Sequence, residues 1–241
     1  LTLTQQYLPL NTGKNQVYNF MNMIKPLQRW FGLDPVHIVE PEPEADIPVV
    51  WIHGANQSSM SFGYLVMCTG FQNNHFINYS NTKRFYDVLD DIIADLKTIG
   101  PCMIVGHSLG GLHAVHLTKH VRVLGGVSIS TPFRGSATAD WAKYIVPHYP
   151  IFRDVGRRAP AILEADQIEL DVPWTQIVST KGGVPYHNGP NDGVCTIDSM
   201  SNRTDCANVE VQCTHYEVMC HNTVVEEIKK IHKKVRKKVD F

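Results

Sequence analysis

The sequence predicts an α/β fold in which a doubly wound, mostly parallel sheet is flanked by helices. Short apolar runs that favour strands alternate with longer runs that have the 3.6-residue period of amphipathic helices. This alternation is typical of a parallel sheet with crossover helices. The chain has 241 residues, 43% of them hydrophobic, which is enough to bury one substantial core. No Ser-, Gly- or Pro-rich linker divides it, so residues 1–241 are predicted to form a single domain.

The individual elements follow from local patterns. Short apolar runs predict strands at residues 36–39, 47–52, 75–79, 102–105, 121–130, 174–179 and 209–213. Apolar positions that recur at helical spacing predict helices at residues 16–31, 60–68, 84–99, 109–120 and 223–239. Thr223 and Glu226 have the spacing of a capping box, which predicts that the last helix begins there.

Two segments stand apart from the regular alternation. Residues 1–46 precede the first core strand and are interpreted as an N-terminal extension. Residues 137–172 carry many apolar side chains without the period of a sheet. Such an insertion between two strands favours a cap or lid over a pocket, and ordinary peripheral helices are the alternative.

The pattern Gly-x-Ser-x-Gly surrounds Ser108. An apolar run ends at Gly106, and Gly110 and Gly111 open a helix-like segment. A serine at the apex of a sharp strand-to-helix turn needs small residues on both sides, and the free N–H groups of the helix start can bind an oxyanion. Ser108 is therefore the candidate nucleophile; a glycine-rich turn without chemistry is the alternative.

A serine hydroxyl needs a base to attack an ester, and the base needs an orienting carboxylate. Both are expected after the nucleophile in chain order, on loops at the carboxyl ends of later strands. His215 follows the predicted last strand and precedes the final helix, so it is the candidate base. His221 is the second choice, while His187 precedes the acid and His232 is predicted to face out of a helix.

The candidate acid is Asp192, in Asn191-Asp192-Gly193. The following glycine gives this turn the freedom to aim the carboxylate inward. A simple Asn-Asp-Gly turn is the alternative. Asp198 and Asp205 lie in a polar stretch that is predicted to be solvated.

Composition excludes several classes of function. Lys and Arg total 22 and Asp and Glu total 23, for a formal net charge of −1, so no overall field recruits nucleic acid. The basic run at 229–238 complements the dipole of the final helix, so no nucleic-acid partner is predicted. No apolar run reaches the length of a transmembrane segment.

The six cysteines include no Cys-x-x-Cys pair, so a zinc site is not expected, and neither a metal nor another cofactor is predicted. The sequence is compatible with disulfides and with free thiols. Cys195 and Cys213 lie close to Asp192 and His215 in the sequence, so a bridge between them would tie the two loops together. An extracellular or periplasmic location is favoured over a cytoplasmic one.

Taken together, these motifs resemble the α/β-hydrolase superfamily, specifically its small bacterial lipase and esterase branch. The resemblance rests on Gly-His-Ser-Leu-Gly-Gly, His53-Gly54, Thr-Pro-Phe-Arg-Gly-Ser at 131–136, Asn-Asp-Gly at 191–193 and His-Tyr-Glu-Val-Met at 215–219. It covers residues 47–241, and the first 46 residues have no counterpart. It implies that Ala55 and Leu109 supply the oxyanion-hole N–H groups, with Gln57 in support. The Asp-rich calcium site of larger lipases has no matching ligand set in this sequence.

The predicted function is hydrolysis of carboxylic esters by a serine hydrolase with the triad Ser108, His215 and Asp192. The expected substrate is a small-molecule or lipid ester, and the expected intermediate is an acyl-enzyme. Acyl transfer, or thioester or amide hydrolysis, by the same triad is one alternative. A catalytically silent α/β-hydrolase that binds a ligand is another.

Overall fold

The fold is built on six parallel strands. A computed structural model describes residues 47–80, 82–135, 151–183 and 189–239. The strands are β1 Val49–Ile52, β2 Asn74–Ile77, β3 Cys102–His107, β4 Val123–Ile129, β5 Trp174–Ser179 and β6 Ala207–Val211. Their order in the sheet is β2-β1-β3-β4-β5-β6, and every neighbouring pair is parallel. The predicted doubly wound, parallel sheet is confirmed.

Helices connect the strands. In the described residues they are α1 Gly63–Thr69, α2 Phe85–Ile99, α3 Leu109–Leu117, α4 Ile151–Asp154, α5 Pro160–Gln167, α6 Ile197–Met200 and α7 Asn222–Val239. Short 3-10 helices at Ser59–Phe62 and Glu217–Cys220 precede α1 and α7. None of the described helices is both long enough and apolar enough to cross a membrane.

Apolar side chains cover both faces of the sheet. On one face, α2, α3 and α5 pack against residues such as Val50 and Ile104. On the other face, α1 and α7 pack against residues such as Trp51 and Val105. Adjacent strand residues point to opposite faces, so strands buried on both faces must be apolar throughout. This is why β1 and β3 read as continuous apolar runs.

Several element boundaries differ from the sequence prediction, among them those of the last strand and the final helix. The last strand spans Ala207–Val211 rather than residues 209–213. The final helix begins at Asn222, so Thr223 already lies inside it and the predicted capping box is wrong. The ring Nδ1 of His221 instead accepts a hydrogen bond from the N–H of Thr223, at 3.2 Å. The predicted helix 16–31 and strand 36–39 lie outside the described residues.

The predicted cap is described only from residue 151 onward, where it contains α4 and α5. Asp154, at the end of α4, forms a bidentate ion pair with Arg84 and accepts a hydrogen bond from the N–H of Phe85 at 2.9 Å. The carboxylate therefore caps the N-terminus of α2 from a distant part of the chain. Its role as a lid stays a prediction.

All six cysteines are free thiols, so the predicted Cys195–Cys213 bridge is wrong. Cys102 is fully buried on β3, as expected for a small core residue. An extracellular or periplasmic location stays a prediction.

The helix that follows Ser108 carries a fully buried histidine, His113. The His113 ring stacks on Phe85 with centroids 4.1 Å apart, and neither ring nitrogen has a hydrogen-bond partner among the described residues. Burial, followed by the nearby His116 and His53, lowers the pKa of His113 well below its ordinary value of 6.5. Burial likewise lowers the pKa of His107, to about 3. Both rings are therefore neutral in the folded protein across the mildly acidic range.

We expect stability to fall as the pH drops below 6.5, because the unfolded chain then binds protons at these rings and the folded chain does not. Each such histidine costs about 1.4 kcal/mol per pH unit until the folded pKa is reached. Replacing His113 by Phe preserves the stack on Phe85 and removes this cost. The difference in free energy of unfolding between the variant and wild type should therefore favour the variant by about 2 kcal/mol more at pH 5 than at pH 7.5. Urea unfolding at the two pH values measures this difference.

The matched control is His120→Gln, because His120 is exposed on the turn after α3. This variant should show the same pH dependence as wild type. A pH dependence that is unchanged in His113→Phe would contradict the assignment of His113 as a neutral, buried ring.

Candidate active site

Ser108 lies at a strained turn between β3 and α3. Its backbone angles are φ 51° and ψ −117°, outside the conformations that non-glycine residues ordinarily adopt. The Ser108 N–H donates to the carbonyl of Ile129 on β4 at 2.8 Å, and its own carbonyl accepts from the N–H of Gly111 at 3.1 Å. A serine at a strained turn between a strand and a helix is the backbone arrangement typical of the nucleophile turn in α/β-hydrolases.

The flanking glycines are needed because the backbone is crowded on both sides of the turn. A Cβ atom at Gly106 would lie 2.4 Å from the carbonyl oxygen of Gly110. A Cβ atom at Gly110 would lie 1.9 Å from the carbonyl oxygen of Ile52 on β1. Neither contact can be relieved by rotating a side chain, since both partners are backbone atoms.

Asp192 and His215 form a buried hydrogen-bonded pair. The distance from His215 Nδ1 to Asp192 Oδ2 is 2.7 Å, and the His215 N–H donates to the Asp192 carbonyl at 3.0 Å. Both residues are at most 2% exposed. The carboxylate only accepts hydrogen bonds, so His215 donates from Nδ1 and a neutral ring leaves Nε2 as its acceptor. That is the tautomer a general base requires.

The carboxylate of Asp192 is satisfied on both oxygens. Oδ1 accepts from the N–H groups of Val194 at 2.9 Å and Cys195 at 2.7 Å, and Oδ2 accepts from the Ser179 hydroxyl at 2.5 Å as well as from His215. Burial by itself would raise the pKa of Asp192, but these hydrogen bonds and the His215 charge outweigh it and hold the pKa below the ordinary value of 3.8. The group is an anion at neutral pH.

The loop after β1 lies directly beside Ser108. A Cβ atom at Gly54 would lie 3.1 Å from Ser108 Cβ, so Gly54 borders Ser108. Gln57 Oε1 accepts from the Gly54 N–H at 3.1 Å and lies 2.8 Å from Nδ1 of His107. The supporting contact expected of Gln57 is therefore a contact to this loop. Assignment of the oxyanion hole to Ala55 and Leu109 stays a prediction.

His107 links the two sides of the site. It precedes Ser108, and its Nε2 lies 3.0 Å from the carbonyl oxygen of His215 while its Nδ1 faces Gln57. The rings of His107 and His215 have centroids 4.9 Å apart. The loop that carries His215 therefore contacts His107, the residue that precedes Ser108.

Comparison with solved structures gives proteins of the same architecture. Bacillus licheniformis lipase BlEst2 in its mature form is 19% identical, with 83% of this chain and 96% of that chain aligned at a TM-score of 0.61. A carboxylesterase structure from Nitrososphaera gargenis is 14% identical over 80% of this chain and 92% of that chain, at a TM-score of 0.55. Phospholipase PlaB from Legionella pneumophila is 12% identical over 81% of this chain and 65% of that chain, at a TM-score of 0.56. No family model matches the sequence, and no curated protein sequence is similar to it.

The protein has the α/β-hydrolase fold. Identities of this size establish the architecture alone, and the resemblance inferred from the sequence motifs is confirmed at that level. The arrangement of Ser108 after β3, Asp192 after β5 and His215 after β6 follows the order of nucleophile, acid and base that α/β-hydrolases use.

The alternative candidate residues lie away from the Asp192–His215 pair or outside the described part of the chain. His221 directly precedes α7, where its ring accepts a hydrogen bond from the N–H of Thr223. His232 does not face out of its helix as predicted; it is buried and stacks on Phe71 with centroids 4.2 Å apart. Asp198 is exposed and paired with Arg134. Asp205 is not simply solvated, because it pairs with the buried Arg203. His187 lies outside the described residues.

Two serines at the site were missed by the sequence interpretation. Ser179 ends β5 and donates to Asp192, and Ser130, directly after β4, lies 2.7 Å from the Ser179 hydroxyl. Their signal in the sequence was a polar residue at the carboxyl end of an apolar strand, which is where α/β sheets place their functional groups.

Asp192, Cys195 and His215 are the described group that comes closest to a metal-ligand set. Their ligand atoms lie within 4.8 Å of one another. However, four donors already occupy the two oxygens of Asp192. This donor pattern fits a hydrogen-bonded carboxylate rather than a metal ligand.

A cavity of about 600 Å³ lies beside the acid loop. Its lining includes Phe133, Arg157, Ile162, Leu163 and Pro190, so it is bordered by α5 and by the loop that leads to Asp192. Ser108 and His215 are not among its lining residues. The cavity therefore adjoins the loop that carries the acid without containing the reacting groups.

Proposed function

We propose that this protein is a serine hydrolase that cleaves carboxylic esters. The observation that carries the proposal is the buried Asp192–His215 pair, joined at 2.7 Å, at the sheet edge where Ser108 occupies a strained nucleophile turn. The lipase, carboxylesterase and phospholipase names of the similar structures support the same reaction class.

In this mechanism His215 Nε2 accepts the proton of Ser108 as the Ser108 oxygen attacks the ester carbonyl carbon. Asp192 holds the ring in the tautomer with a proton on Nδ1 and stabilises the imidazolium that forms. The N–H groups of Leu109 and Ala55 stabilise the oxyanion of the tetrahedral intermediate. Leu109 suits this role because it is the first residue of α3, where backbone N–H groups have no partner within the helix.

Collapse of the intermediate expels the alcohol, which takes the proton from His215, and leaves an acyl group on Ser108. Water then attacks the acyl-enzyme with His215 as base and releases the acid. The substrate class is a small-molecule or lipid ester. The exposed ring of Tyr216 stands edge-on to His215 with centroids 5.3 Å apart, which gives an apolar substrate group a surface next to the base.

Labelling with a fluorophosphonate probe tests the proposal, because only an activated serine reacts at an appreciable rate. The wild-type protein should be labelled on Ser108, as peptide mass spectrometry would show, and should release p-nitrophenol from p-nitrophenyl esters. A protein that neither reacts with the probe nor hydrolyses any ester from two-carbon to long-chain acyl groups would be a silent binding module. Ester products formed in the presence of added alcohol would instead indicate acyl transfer.

A further inference from the structure

A chain of two buried hydroxyls leads from the sheet to the acid of the proposed triad. Ser130 directly follows β4, and Ser179 is the last residue of the neighbouring strand β5. Their oxygens are 2.7 Å apart, and Ser179 Oγ is 2.5 Å from Asp192 Oδ2. Both side chains are completely buried. The mechanism proposed above uses neither of them.

The direction of each hydrogen bond can be assigned. The Asp192 carboxylate is an acceptor only, so the single proton of the Ser179 hydroxyl points at Oδ2. Ser130 must then be the donor in the Ser130–Ser179 contact, because Ser179 has only lone pairs left. The polarity therefore runs from Ser130 to Ser179 to Asp192, and each donation strengthens the next.

The carboxylate oxygen that Ser179 contacts is the one that orients the base. Oδ2 accepts from both Ser179 Oγ and His215 Nδ1, while Oδ1 is held by backbone N–H groups. Asp192 is thus fixed from the loop side by Oδ1 and from the sheet side through Ser179. The backbone of Ser130 supports this arrangement, since its φ of 50° is unusual for a residue other than glycine and its N–H is bonded to the Ile177 carbonyl at 2.9 Å.

We propose that Ser179 is a positioning residue for ester hydrolysis: it aims and partly neutralises Oδ2 of Asp192, and Ser130 holds Ser179 in the donating rotamer. This inference rests on the proposed hydrolase function. It predicts a role in the rate and pH dependence of the reaction that a merely structural serine would not have.

The first test is Ser179→Ala. We expect kcat for a p-nitrophenyl ester to fall about tenfold with little change in KM, as befits loss of one hydrogen bond to a charged group. The acid limb of the pH–kcat/KM profile should move to higher pH. Without the Ser179 hydrogen bond, Oδ2 keeps more of its negative charge and stabilises the protonated ring of His215 more strongly. Ser179→Thr retains the hydroxyl and should recover the wild-type limb.

A double-mutant cycle tests the second link. Ser130→Ala should lower kcat two- to threefold in the wild-type background and have no effect in the Ser179→Ala background. The matched control is Ser128→Ala, which removes a buried serine from the same strand, where its hydroxyl accepts from Trp174 Nε1 at 2.8 Å. Activity per folded molecule and the pH profile of this variant should equal those of wild type.

The outcomes separate this inference from the proposed function. Activity that depends on Ser108 but is unchanged, in rate and in acid limb, by Ser179→Ala would overturn the inference and leave the hydrolase standing. Additive effects of Ser130→Ala and Ser179→Ala would remove Ser130 from the chain. Activity that survives Ser108→Ala would overturn the proposed function itself. If Ser179→Ala does not fold, the acid limb of the pH–kcat/KM profile is compared between Ser130→Ala and Ser179→Thr instead. The limb should move to higher pH in Ser130→Ala and stay at the wild-type position in Ser179→Thr.

Discussion

Replacing Ser108 by alanine is expected to lower kcat for p-nitrophenyl ester hydrolysis by at least about 10⁵-fold, toward the level of the remaining oxyanion contacts. The proposed reaction forms a covalent bond to the Ser108 oxygen, so no other group can substitute for it. The measurement is initial rate against substrate concentration, corrected for spontaneous hydrolysis. Labelling by a fluorophosphonate should disappear in parallel.

The variant should fold as wild type does, which makes the loss interpretable. Alanine retains the Cβ atom of serine, so the strain at φ 51° is the same in both proteins. The urea unfolding midpoint should therefore shift very little. An alanine variant with an unchanged midpoint and more than a few per cent of the wild-type rate would show that another residue is the nucleophile.

Much of the fold could be predicted because the central strands of a doubly wound sheet are buried on both faces and therefore form short apolar runs in the sequence. β3 and β5 are buried along their whole length, and each contains a short apolar or β-branched run that predicts a strand. β6 was misplaced by two residues because it is an edge strand, mostly exposed, and its apolar residues lie toward its end. His232 was misassigned because its pairing with Phe71 depends on a contact between α7 and the loop after α1.

The candidate site was predictable where chemistry and backbone geometry impose a local pattern. Ser108 is flanked by glycines at positions where an added Cβ atom would collide with the backbone. The pattern that identifies this turn therefore lies within six consecutive residues. Chain order and positions after strands led to Asp192 and His215, which the structure places in hydrogen-bond contact. Ser179 and Ser130 were not predicted, since a polar residue at a strand end does not by itself reveal its partner, and the two hydroxyls meet only because β4 and β5 lie side by side.

Replacing Asp192 by asparagine is expected to lower kcat by about 10⁴-fold while leaving KM nearly unchanged. The reason lies in the four hydrogen bonds to the carboxylate. The N–H groups of Val194 and Cys195 both point at the Oδ1 position, so the asparagine oxygen must take that side and its NH₂ must face His215. Nδ1 then becomes an acceptor, the proton moves to Nε2, and the ring can no longer accept the proton of Ser108.

Stability measurements give an independent readout of the same substitution. The folded pKa of Asp192 lies below its ordinary value of 3.8, so the carboxylate contributes stability above about pH 4 and loses it as the pH falls through the folded pKa. Wild type should therefore be more stable than Asp192→Asn at neutral pH, and the gap should narrow in acid. The matched control is Asp198→Asn, which changes an exposed aspartate paired with Arg134. Its kcat, and the pH dependence of its free energy of unfolding, should equal those of wild type. If kcat fell less than tenfold in Asp192→Asn, or fell further in Asp198→Asn than in Asp192→Asn, the acid would be another residue.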